Sequence, residues 1–260
     1  MNALQARIEG IGFWTRGLPG WAAARDYALA GTAPGDAPAR PSPQLLPANE
    51  RRRAPETVAV ALDVALAACH DAGRDPASLP SVFASTHGDL AITDYMCATL
   101  AQEPRALSPT RFHNSVHNAA AGYWTIGTGA MQPASAISAH LASFAQGLID
   151  ALAQLADGAE AVLLVAYDGP AVGPLAQVAP SDGLLGGALV LARDGTGPRL
   201  HARIVPREDP SDAPGPLARW SASNAMAPML PLFDALARGE GRAVLPAGPL
   251  HALIVEVTRD

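Results

Sequence analysis

The chain has 260 residues, 49% of them apolar and 16% charged, which is enough apolar material for one sizeable core. All 18 basic residues are arginine and the formal net charge is -6, so no basic field is available for a phosphate backbone and nucleic acid is not an expected partner. The absence of lysine excludes Schiff-base chemistry and a P-loop, and the two cysteines, Cys69 and Cys97, are too few for a disulfide framework and lack metal-ligand spacing.

In chain order, Arg7 to Trp14 alternates around Gly10 and Gly12 and predicts a first strand. A Pro-, Ala- and Gly-rich stretch follows, with a short helix near Trp21 to Leu29, and it ends at Arg51-Arg52-Arg53, read as a solvated face. Pro55 opens a helix that carries Val58, Leu62, Leu66 and Cys69 on one face, and Gly73 ends it. Pro80 to Ser85 reads as a buried strand, Asp89 to Gln102 as a helix and Ala119 to Gly129 as another. Next come the strand Ala134 to Ala139, the helix Ala142 to Ala156 and the strand Ala161 to Ala166, an alternation that implies parallel βαβ units. Ala188 to Ala192 and His201 to Pro206 are expected as an antiparallel pair that extends the sheet. A second Pro-rich linker leads to a helix over Met226 to Arg238 and a last strand over Leu250 to Val257.

The N-terminus lacks the charged and apolar regions of a signal peptide, and the longest apolar stretches fall far below the roughly 20 residues needed to span a bilayer. A cytoplasmic location is expected. No G-x-S-x-G elbow occurs, and Gly127-Thr128-Gly129-Ala130-Met131-Gln132 lacks the last glycine of a dinucleotide loop, so no cofactor is expected. His113 and His117 are four apart, as in a two-histidine metal site, but proline and asparagine nearby suggest a loop and no third ligand lies close, so no metal is expected either. Cys97 falls on a predicted helix without an adjacent base and reads as a buried helix residue.

Between Leu107 and Tyr167 lie Ser108-Pro109, Phe112-His113-Asn114-Ser115-Val116-His117-Asn118, Ala120-Ala121-Gly122, Gly129, Pro133 and Asp157-Gly158-Ala159-Glu160. This series resembles, in order and spacing, the N-terminal half of the β-ketoacyl synthases, condensing enzymes with the thiolase fold. Weaker similarity extends from Ile8-Glu9-Gly10-Ile11-Gly12 to Leu191. The implied fold is α/β: a truncated thiolase-like fold made of a single βαβαβαββ half with an extra C-terminal helix and strand. Residues 1–206 would form the N-terminal-like domain, and 207–260 a short extension packed on it.

In that family a cysteine nucleophile stands at the strand-to-helix turn, at a helix N-terminus that stabilises its thiolate. The ungapped register places Leu141 there, flanked by His140 and Ser143, and a slip of one residue places His140 there instead. A hydrocarbon cannot attack a thioester, and the histidine and asparagine motifs of the family's second half do not occur after Leu191, so no catalytic residue is expected. The resemblance implies a chain-length-factor-like role in fatty-acid or polyketide synthesis, similar to the short ketosynthase homologues of aryl polyene pathways. The partner would be a catalytic ketosynthase in a heterodimer, with acyl carrier protein reached through that complex and a homodimer possible when the chain is alone. Arg111, Phe112, His113, Ser115 and Asn118 are the implied acyl-tunnel or interface residues. Two alternatives stay open: a self-associating scaffold or binding protein, and an acyl-thioester decarboxylase or acyltransferase that uses His140, Ser143 or Cys97.

Overall fold

The computed structural model describes residues 4–207 and 213–259. Its elements are β1 (Leu4–Thr15), α1 (Trp21–Ala30), α2 (Ala48–Arg51), α3 (Glu56–Ala72), β2 (Ser81–Ala84), α4 (Leu90–Gln102), α5 (Pro109–Asn114), α6 (Ala119–Thr128), β3 (Ala134–Ile137), α7 (Ser143–Ala156), β4 (Ala161–Asp168), α8 (Leu175–Val178), β5 (Leu185–Ala192), β6 (Arg199–Pro206), α9 (Pro216–Trp220), α10 (Leu230–Arg238), β7 (Gly241–Pro246) and β8 (His251–Thr258).

The strands form one eight-stranded sheet in the order β3-β2-β4-β5-β1-β6-β8-β7. Only β3, β2 and β4 run parallel, and every other pairing is antiparallel. In β4 and β5 all eight residues are buried, because helices cover both faces of the sheet there, and both strands read as continuous apolar runs. On one face α3 and α6 cover Phe83, Leu163, Val165 and Val190; on the other, α7 and α10 cover Val82, Leu164, Leu189 and Val255.

α3 shows how sequence becomes position. Pro55 precedes its first residue, Glu56 lies in the first turn, and Gly73 adopts a left-handed conformation with its N–H on the carbonyls of Cys69 and His70. The helix crosses β1 at Gly10 and Gly12, where a Cβ would lie 2.1 Å from the Ala68 carbonyl oxygen and 1.9 Å from that of Val64. Burial pushes the Cys69 thiol up to about 12, so it packs as an inert core residue.

Several expectations need correction. Ala188–Ala192 and His201–Pro206 do not pair with each other, because β1 lies between β5 and β6 and hydrogen-bonds to both. β7 was not expected, so the C-terminal part supplies two strands to the sheet rather than one. The segment around His113 is not a loop: Ser108 caps the short helix α5 with Pro109 at its first turn. The Met226–Arg238 helix begins only at Leu230, after a tight turn over Ala227–Met229 that accommodates Pro228. Cys97 is exposed on α4 rather than buried.

Candidate functional site

The parallel strands β3, β2 and β4 end together, and the backbone beyond them is tied by polar side chains at the place where open α/β sheets bind ligands. Asp168, at the end of β4, is fully enclosed and accepts hydrogen bonds from Ser85 Oγ at 2.7 Å, Thr86 N at 2.9 Å and His87 N at 3.1 Å. Burial holds its carboxyl above the usual carboxylate range, against the pull of those donors. Ser85 Oγ in turn accepts the Gly88 N–H at 2.8 Å, and Ser138 Oγ donates to the Thr86 carbonyl at 3.0 Å. The loop after β2 is thereby fastened to the loop after β3.

That second loop carries the strand-to-helix turn. Among the described residues His140 is the one non-glycine residue with positive φ, at 54°, a conformation that L side chains rarely adopt. Ser143, 1% exposed, braces the turn: its hydroxyl donates to the His140 carbonyl at 2.6 Å and accepts the Ala139 N–H at 2.9 Å. Gln146 Nε2 on α7 donates to the Ala247 carbonyl at 2.7 Å, which brings the turn between β7 and β8 against the same end. A cavity of about 300 Å³ lies there, with His140, Leu141, Arg207, Val244, Pro249 and His251 in its lining.

At this turn the His140 imidazole lines the cavity. Leu141 is 52% exposed and has no nucleophilic atom. The Ser143 hydroxyl is committed to two backbone partners, and Cys97 is an exposed residue of α4.

The other residues singled out from the sequence gather on and around α5. Phe112 is 60% exposed, and the Arg111 guanidinium sits 3.9 Å from the centre of the Tyr95 ring. Ser115 Oγ closes the helix by donating to the Phe112 carbonyl at 2.8 Å, and Asn118 precedes α6. His113 packs edge-on to Tyr123 with ring centres 6.1 Å apart, whereas His117 Nε2 lies 2.9 Å from the Ser85 carbonyl. The two histidines thus serve different neighbours, and no metal-binding cluster occurs among the described residues. Phe112, Val116, Ile126, Met131 and Leu141 are large exposed apolar side chains, and β3 is an edge strand of the sheet.

Sequence reasoning missed Asp168, Ser85, Thr86 and Ser138. The signal available was a strand ending in Tyr167-Asp168 and another running into Ser85-Thr86-His87-Gly88-Asp89.

Similarity to known proteins fits this geometry. Over 97% of this chain and 99% of the other, at 25% identity and a TM-score of 0.76, the structure matches a chain from the complex of the ketosynthase ApeO with its chain length factor ApeC from Xenorhabdus doucetiae. It shares its fold with a chain of the AntDE:AntF complex, a type II polyketide synthase acyl-carrier protein with its ketosynthase (12% identity, TM-score 0.74, all of both chains), and with one of the ishigamide ketosynthase/chain length factor (14% identity, TM-score 0.74, 98% of this chain and 99% of that one). No curated protein sequence matches significantly. No helix among the described residues is long and apolar enough to cross a membrane. The family model for the β-ketoacyl synthase N-terminal domain matches residues 21–245, and the chain belongs to that family.

Proposed function

We propose that this chain is a non-catalytic, chain-length-factor-like subunit of a cytoplasmic type II synthase for polyketide or fatty-acyl chains of the aryl polyene kind. It pairs with a catalytic ketosynthase, meets acyl carrier protein through that complex, and shapes the tunnel into which the acyl chain grows. The observation that carries this reading is the strand-to-helix turn. Ser143 braces His140 in a left-handed conformation there, and the turn offers the hydrocarbon of Leu141, or on a one-residue slip the imidazole of His140, where the resemblance implies a thiol.

Two further features support the reading. The matched chain from Xenorhabdus doucetiae comes from a complex of a ketosynthase with its chain length factor and has nearly the same extent as this one. The β3 edge is paired on one side only, and large exposed apolar side chains, Phe112 at 60%, Ile126 at 81% and Met131 at 95%, lie in α5, in α6 and on the approach to β3 respectively. Free strand edges and contiguous apolar patches on soluble proteins mark association surfaces.

The test is product length. In a working complex, Phe112→Ala removes a bulky side chain from the proposed tunnel wall and shifts products to longer chains. An unchanged distribution contradicts the role and favours a scaffold.

A further inference from the structure

The cavity of about 300 Å³ beside the His140 turn stands at the lower end of the size range of small-molecule sites. Leu141 from that turn and Val244, Pro246 and Pro249 from the β7–β8 hairpin give it an apolar wall. The polar side chains in its lining are His140, Arg207 and His251, and the lining holds no carboxylate, amide or hydroxyl side chain among the described residues. In a chain of net charge -6, a cavity whose ionisable side chains are all basic is a local reversal of sign.

The backbone holds these groups in place. His251 opens β8 on the face that carries Leu253, Val255 and Val257, which belong to the core beneath α7 and α10. Strand alternation therefore sets it on the α7 side of the sheet, where the His140 turn stands. The Arg207 N–H donates to the Leu250 carbonyl at 2.8 Å, which fixes the end of β6 beside the hairpin. Backbone acceptors at the cavity are engaged: the Ala139 carbonyl accepts the Ala142 N–H at 3.0 Å, that of His140 accepts the Ser143 hydroxyl at 2.6 Å, and that of His251 accepts the Ala247 N–H at 3.0 Å. His140, Arg207 and His251 are all exposed, so a solute can reach them. An imidazole offers an N–H donor in either charge state, and a guanidinium carries five donors and a permanent charge. A basic, donor-rich cavity with an apolar wall complements an oxyanion on a short apolar body.

We propose that this cavity binds a small ligand that bears a carboxylate or phosphate group on a short apolar stem, with His140, Arg207 and His251 serving the oxyanion and Leu141, Val244 and Pro249 the stem. Every group involved belongs to this chain, so the inference stands apart from the subunit reading. A bound anion would bridge the His140 turn and the β7–β8 hairpin, which Gln146 already ties together through the Ala247 carbonyl at 2.7 Å.

The experiment is isothermal titration calorimetry of the full-length chain, at fixed ionic strength, with butyrate, butyl phosphate and the uncharged control 1-butanol. The expected result is saturable one-to-one binding of at least one anion, about tenfold or more tighter than butanol, and the tighter anion identifies the head group. His251→Ala and Arg207→Met, both at exposed positions, should each weaken anion binding by about tenfold or more and leave butanol unaffected. His140→Gly, which suits a left-handed backbone, should do the same. Anion binding as tight in all three variants as in the unaltered chain, butanol binding as tight as that of the anions, or no saturable binding of either anion overturns the inference.

Discussion

Replacing Gly12 with alanine tests the packing that places the site. Gly10 and Gly12 are two residues apart on one face of β1, a span of about 7 Å, and they meet the carbonyls of Ala68 and Val64, four residues apart on α3, a rise of about 6 Å. The two repeats match, so strand and helix backbones touch at both points. A Cβ on Gly12 would stand 1.9 Å from a backbone oxygen, against ordinary contact from 3.4 Å, and no side-chain rotation relieves it. α3 must move away from a sheet against which Val60, Val64 and Ala65 are almost completely buried. Overpacking of this kind costs about 1–3 kcal/mol, and contact with backbone puts Gly12→Ala at about 3 kcal/mol or beyond. The assay is urea unfolding beside Gly122→Ala, whose Cβ would meet nothing within 4 Å on the helix α6 and which should be neutral or stabilising by about 0.5–1 kcal/mol. Midpoints for the two variants that coincide within error would refute the close-approach argument.

Three further outcomes are expected. Thiol titration of the folded protein should modify Cys97 at once and spare Cys69, whose thiol is buried and pushed up to about 12; rapid modification of both contradicts the α3 packing. Ser143→Ala removes two hydrogen bonds from a buried position and leaves the Ala139 N–H unpaired, so unfolding free energy should fall by about 1–3 kcal/mol, and an unchanged value means that the His140 turn does not depend on this clamp. Asp63, Asp168 and Asp234 are each held above the ordinary carboxylate value of 3.8, mainly by burial, so the native state retains their protons where the unfolded chain has lost them. Their contribution to stability is then fully present below that ordinary value and is lost as pH rises through the native values, so Asp168→Asn should flatten the fall in melting temperature between acidic and neutral pH. An identical slope in the variant would contradict the assignment.

The sequence made α3 legible because its boundaries are punctuated by Pro55 and Gly73 and its apolar residues are many. Strand order was not legible. The insertion of β1 between β5 and β6 is decided by pairings such as Gly12 with Ala188 and Gln5 with His201, which no local pattern encodes. β7 was missed because it is a six-residue edge strand ending in Pro246, a residue that strands tolerate only at such positions. At the site, the resemblance located the turn at His140 to Ser143, but neither the left-handed His140 nor the Asp168 network is visible in a linear reading. Asp168, Ser85 and Ser138 meet only because three strand ends converge.

The most direct measurement is native mass spectrometry of this chain purified by affinity after coexpression with the ketosynthases of its own genome, followed by a condensation assay with malonyl-carrier protein. The account predicts a one-to-one complex that condenses, while the chain alone does not. A homodimer that retains no ketosynthase, or condensation by the isolated chain, would contradict it.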